Sequence, residues 1–181
     1  MVIKKLASLL FFYRILLKEI LTMTKSKNLK YFFLMTTLVC SISGVALAQK
    51  KNFNDLVLAV GSNETGGIVT GNTGGAYSLA SITNSDRDGN PCLGYGDPQP
   101  DHIITLKGNF AQLTLQIDSG GSDTTLIVKD VTTNSIRCGL GQNESQDAVI
   151  QDSNWSAGTY HIWVGSMSPN QRSPYRLSVQ P

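Results

Sequence analysis

Oxygen-bearing side chains gather in the middle of this sequence. Asp86, Asp88 and Asn90 offer an oxygen at every second position, and Asp97 and Asp101 follow shortly after. Hard divalent cations take about six to eight oxygen ligands, so these five residues form a candidate Ca2+ set. The spacing is not that of an EF-hand loop, because Gly89 holds the fourth place and no helices are expected beside it. The same residues also read as turn formers, since Asp and Asn hydrogen-bond their own backbone. A second candidate lies later in the chain. His161 and Trp163 are two apart, with Trp155 nearby, and an aromatic face of this kind can stack on sugar rings. The other reading is that Trp155 caps a loop and Trp163 packs under a neighbouring strand.

Two motifs invite an enzymatic reading. The run Gln116-Ile117-Asp118-Ser119-Gly120-Gly121 resembles the catalytic turn of retroviral-type aspartic peptidases. Two chains would pair their Asp118 carboxylates to share one proton, making a homodimeric peptidase the alternative function. Against it, Trp163-Val164-Gly165 matches the second element of that class only loosely, and a turn between strands needs no catalysis. The Asp-Ser-Gly-Gly tetrapeptide also echoes a chymotrypsin-like serine. No partner sequence surrounds His102, no G-x-S-x-G elbow exists, and the chain has only two histidines. Gly61 to Gly75 lacks the GK[ST] ending of a phosphate loop and reads as a flexible lead-in or a set of tight turns. No catalytic set is expected.

The elements that must position these residues are strands. Period-two runs occur at 76–83, 101–108, 109–118, 123–131, 135–138, 147–152, 158–165 and 175–180, with Gly, Asn, Ser and Thr clusters between them. Alternation, β-branched residues and regular turn clusters predict an all-β chain, a jelly-roll-like antiparallel β-sandwich. In 158–165, Tyr160, Ile162 and Val164 share the face expected to be core, leaving Thr159, His161 and Trp163 on the other.

The front of the chain reads as an address. From Met23, a Lys25/Lys27/Lys30 n-region precedes an apolar run from Tyr31 to Val45, and Ala46-Leu47-Ala48 supplies a small–x–small cleavage site. Residues 23–48 are therefore expected to be a signal peptide cleaved before Gln49. An uncleaved anchor is disfavoured by that site, and a lipoprotein by Val39 before Cys40. Residues 1–22 read as lying upstream of a true start at Met23, or as an extended n-region. Residues 49–72 read as a polar lead-in and 73–181 as the sandwich.

The chain of 181 residues is only 15% charged, too little for a coiled coil or a charged tail. Its net charge of +2 hides an asymmetry: 7 of the 15 Lys+Arg precede residue 49, leaving 8 basic and 12 acidic residues after it. That acidic balance removes the footprint of nucleic-acid binding. The expected destination is the periplasm or the medium, with no stable membrane anchor after cleavage and an envelope or extracellular protein or polysaccharide as partner. Cys92 and Cys138 remain in the exported part, where two thiols read as one disulfide; metal-binding thiolates are the rival reading, without a second Cys or His at ligand spacing.

An ordered set of segments carries a family resemblance: TGGAYSL, NPCLGYGDPQPDHIITL, GGSDTTLIVKD, a second Cys, AGTYHIWVGS and YRLSV. Over residues 73–180 this pattern resembles the bacterial pre-peptidase C-terminal domain in a disulfide-bearing secreted form. The resemblance implies a jelly-roll-like sandwich without catalytic apparatus, often appended to secreted peptidases, where it binds matrix or aids secretion. Some relatives bind calcium in the leading segment and around the Asp that opens the first main strand, here Asp101. In many relatives an acidic pair follows the second Cys, whereas this chain has Gly139-Leu140-Gly141. No enzyme precedes the domain, so a standalone binding or envelope protein is the fitting form.

Overall fold

The computed structural model describes residues 51–61, 66–141 and 146–181. The expected signal peptide at 23–48 and the segment 1–22 lie outside the described residues. The strands are β1 (Leu56–Leu58), β2 (Gly67–Asn72), β3 (Tyr77–Ser78), β4 (Tyr95–Gly96), β5 (His102–Leu106), β6 (Phe110–Asp118), β7 (Thr124–Asp130), β8 (Ile136–Gly141), β9 (Ala148–Trp155), β10 (Gly158–Ser166) and β11 (Pro174–Gln180). A short 3-10 turn covers Leu79–Ser81, and no α-helix occurs among the described residues.

Hydrogen-bonded neighbours follow the path β1-β5-β10-β7-β8-β9-β6-β11-β2. The path folds over at the β8–β9 link, where only Leu140–Val149 and Gly141–Ala148 pair. Its two halves then face each other across one core. Ile104, Leu106, Val128, Tyr160, Ile162 and Val164 from the first half meet Leu113, Leu115, Ile117, Ile150, Leu177 and Val179 from the second. At the other seam β1 and β2 lie side by side without pairing, and any Cβ at Gly67 would run into Leu56. The result is the expected all-β sandwich, curled toward a barrel.

Local sequence explains the strands. Tyr160, Ile162 and Val164 are 2%, 0% and 1% exposed, so the inward face of β10 is the one that period two predicts. In β6 the apolar spacing from Phe110 to Leu113 breaks that period. The break lies beside Asn154 of β9, whose φ of +60° interrupts the β6–β9 ladder between the Phe110–Trp155 and Gln112–Ser153 pairs.

Three elements differ from expectation. The lead-in at 49–72 contributes two strands: β1 pairs parallel with β5, so the sheet is mixed, and β2 pairs with β11. Its glycines disguise the strand GIVTGN, in which Val69 is buried. The run 76–83 is a two-residue strand followed by the 3-10 turn, because Leu79 turns inward and is fully buried. From there the chain makes an excursion over the outer face of β10 and β7 before it enters β5.

Candidate functional site

The Cys92–Cys138 disulfide is present, with Cα atoms 5.4 Å apart, and it ties this excursion to β8. Beneath it lies a second apolar cluster of Leu79, Cys92, Ile127 and Trp163, flanked by Ile82, Ile136 and Cys138. This cluster corrects the aromatic-platform expectation. Trp163 does point to the outer face of β10, but the excursion covers it to 6% exposure, and its Nε1–H donates to the Pro98 carbonyl at 3.4 Å. Trp155 is 2% exposed in the main core, donates to the Asp152 carbonyl at 2.9 Å, and carries the Arg137 guanidinium 3.9 Å over its ring. His161 is half-buried and meets Trp163 edge-on at 5.9 Å. Burial, and next the Lys129 charge, hold its pKa below the usual imidazole value. The three residues form no common exposed surface.

The five candidate cation ligands stand in three separate settings: the 86–90 loop, the turn at Asp97 and the buried carboxylate of Asp101. Asp86 closes a loop: Oδ1 accepts the N–H groups of Asp88 (2.9 Å) and Asn90 (2.8 Å), while Oδ2 accepts Asn90 Nδ2 (3.1 Å) and the Cys138 N–H (3.4 Å). Burial alone would raise its pKa, but these hydrogen bonds together hold it below the usual carboxylate value. Asp88 touches Arg87, and Arg87 also reaches Asp152 beside Arg137. Asp97 accepts the Gln99 N–H at 3.0 Å as a turn former. Asp101 lies elsewhere, buried at 4% exposure, accepting the Val164 N–H (2.7 Å) and Asn52 Nδ2 (3.1 Å). Among the described residues no three His, Cys, Asp or Glu side chains stand together as a metal site.

Asp118 ends β6 exposed to solvent. The Ser-Gly-Gly-Ser after it is a turn. Ser119 Oγ bonds Asp147, the Ser122 N–H donates back to Ser119 Oγ at 3.0 Å, and Gly120 and Gly121 take φ of +73° and +95°.

A different polar centre escaped the sequence reading. Residues 51–55 form a strap across one end of the sandwich, with Asn52 and Phe53 N–H groups donating to the Pro100 and Asp101 carbonyls at 3.0 and 2.8 Å. Beneath it His102 is fully buried, its Nδ1 2.7 Å from the Asn54 carbonyl and its Nε2 2.9 Å from the Tyr175 hydroxyl. Burial holds the His102 pKa below its usual value and pushes that of Tyr175 up, the Asp101 charge adding to the latter. Phe53 packs against both rings, edge-on to Tyr175 at 6.3 Å. Gly71 is obligatory below them, since an added Cβ would strike the Tyr175 hydroxyl and lie 2.8 Å from Phe53.

Between this strap and the ends of β2, β6 and β11 opens a cleft of about 660 Å3. Asp118, Arg176 and Thr70 lie in one cross-strand row along it, Arg176 being the register partner of both the others. Asn52, Asn54, Asn72 and Ser119 complete its polar lining. The sequence marks this place only through Asp118 and Ser119, which belong to the turn that the rival peptidase reading would use.

No family profile matches the chain, and no curated protein sequence matches it. Solved structures similar to it include the pre-peptidase C-terminal domain of collagenase from Bacillus anthracis, at 12% identity, covering 72% of this chain and 99% of that chain, TM-score 0.42. Another is PliG of Aeromonas hydrophila, a periplasmic inhibitor of g-type lysozyme, at 13% identity, 72% and 98% coverage, TM-score 0.40. A third is CorA of Methylomicrobium album BG8, a surface-associated copper-binding protein, at 9% identity, 72% and 99% coverage, TM-score 0.41. A pre-peptidase C-terminal domain, the type that residues 73–180 resemble, is thus among the structures similar to this chain.

Proposed function

We propose that this chain is an exported, non-catalytic β-sandwich that binds an envelope or extracellular polysaccharide or protein. The observation that carries the reading is how the chemically capable side chains are used. Both nitrogens of His102 and both carboxylate oxygens of Asp101 and Asp86 are held by hydrogen bonds that position backbone and strap. His102 and Asp101 fasten segments far apart in sequence, and Asp86 closes its own loop beside the disulfide, which suits a rigid scaffold for recognition. The Asp118 turn is explained by its bonds to Asp147 without a second chain. The disulfide supports export, because such bonds persist in oxidising compartments.

The test uses the full chain expressed with its own leader in a disulfide-forming host. The exported product should begin at Gln49 by mass spectrometry, should co-sediment saturably with isolated envelope material, and should leave peptides uncleaved at acid pH. Pepstatin-sensitive cleavage would transfer the assignment to the Asp118 peptidase.

A further inference from the structure

We infer that the cleft between the 51–55 strap and the ends of β2, β6 and β11 is the recognition site, and that its ligand is a neutral glycan. The inference rests on the proposed binding role and names its place and ligand class. Three features argue for it.

The first is polar capacity that the protein itself does not use. The side chains of Asn54, Thr70, Asn72, Asp118 and Arg176 make no hydrogen bond or ion pair with the protein among the described residues, although they share one cleft. Arg176 and Asp118 are register partners on adjacent strands and still form no ion pair. The same residue types elsewhere do otherwise: Asp152 holds Arg87 and Arg137, and Asp86 holds its own loop.

The second is the chemistry of the set. One carboxylate, one guanidinium, two carboxamides and a hydroxyl offer donors and acceptors in balance and no net charge. Such a lining suits a chain of hydroxyl groups, each of which donates and accepts, better than a strongly charged ligand. Phe53, half-buried at the wall, supplies an apolar surface for the C–H side of a sugar ring.

The third is rigidity. The wall is fixed from behind by the Asn54–His102–Tyr175 chain of hydrogen bonds and by Gly71, which seats both aromatic rings. A preorganised wall reduces the ordering cost of binding.

The experiment is isothermal titration of the exported protein with three soluble hexasaccharides: β-1,4-linked glucose, β-1,4-linked N-acetylglucosamine and α-1,4-linked glucose. Arg176→Ala and Asp118→Asn test the site, since both side chains are exposed and neither supports the fold. Lys107→Ala, exposed and away from the cleft, is the control. The expected result is binding of at least one hexamer, weakened on the order of tenfold in each cleft variant, with thermal midpoints and the control unchanged. Binding that ignores both cleft variants would overturn the inference, as would failure of all three hexamers to bind. In either case saturable envelope co-sedimentation by the same preparation would leave the broader binding role standing. Cleavage of a hexamer, seen by mass spectrometry, would overturn the non-catalytic reading itself.

Discussion

Asp101→Asn separates a structural carboxylate from a functional one. Asp101 is 4% exposed, and burial raises its pKa from 3.8 to about 6, against the opposing hydrogen bonds from Val164 and Asn52 and with a further push from the Asp97 charge. An acid whose pKa is raised by folding binds its proton more tightly in the folded state. Its contribution to stability is therefore most favourable below the unfolded value, declines as pH rises from 3.8 toward 6, and is a constant penalty above that. The gap corresponds to about 3 kcal/mol in full, most of which falls between pH 8 and pH 4. The carboxamide of the variant keeps an oxygen for the Val164 N–H, and Asn52 can turn its own amide to face the new NH2 group. Folding survives, but the titration disappears. The buried His102, with its lowered pKa, works in the opposite sense, losing stability as pH falls below 6.5, and so do Asp86 and Asp130 as they protonate. These contributions occur in both proteins and cancel in the difference. Urea denaturation of both, from pH 8 to pH 4, should show the wild type gaining about 2 kcal/mol on the variant. A difference that stays flat within about 0.5 kcal/mol, or runs the other way, would refute the buried-acceptor account of Asp101.

Other outcomes follow from the same packing. Trp163→Ala removes a buried ring beneath the disulfide and should cost about 3 kcal/mol in chemical denaturation; a cost below about 0.5 kcal/mol would mean that the ring is a surface group after all. Replacing Cys92 and Cys138 by Ser frees a 47-residue loop and should cost about 4 kcal/mol, with Trp163 fluorescence shifting to the red as its cover loosens. An unshifted emission spectrum would show that the 79–98 excursion holds without its staple. Thermal midpoints in millimolar calcium and in EDTA should coincide, because the oxygens of Asp86 and Asp101 already accept N–H donors. A midpoint raised by calcium would return these residues to the role of ligands.

Much of the fold was legible because it is local. Period two in residues 101–118, 123–131 and 158–165 fixes which side chains enter the core, and Tyr160, Ile162 and Val164 do so. Export chemistry made the Cys92–Cys138 pairing readable. What was hidden depends on distant segments. Trp163 lies on the face that alternation leaves outward, and only the excursion through Leu79 and Cys92 covers it. Asp101 accepts the Val164 N–H, 63 residues away, a partnership that no local pattern announces. β2 was masked by glycines whose purpose is steric: Gly67 lets Leu56 approach across the seam, and Gly71 admits Tyr175 and Phe53. The cleft combines residues from four places, 52–54, 70–72, 118–119 and 174–176, and no spacing rule joins them.

The central claim, an exported module that binds without catalysing, is tested most directly by equilibrating the exported protein with isolated envelope material and following both phases. The account predicts saturable transfer of protein to the pellet and a supernatant free of newly released peptides or sugars. Protein that stays in solution at every envelope concentration, or fragments that accumulate with time, would contradict it.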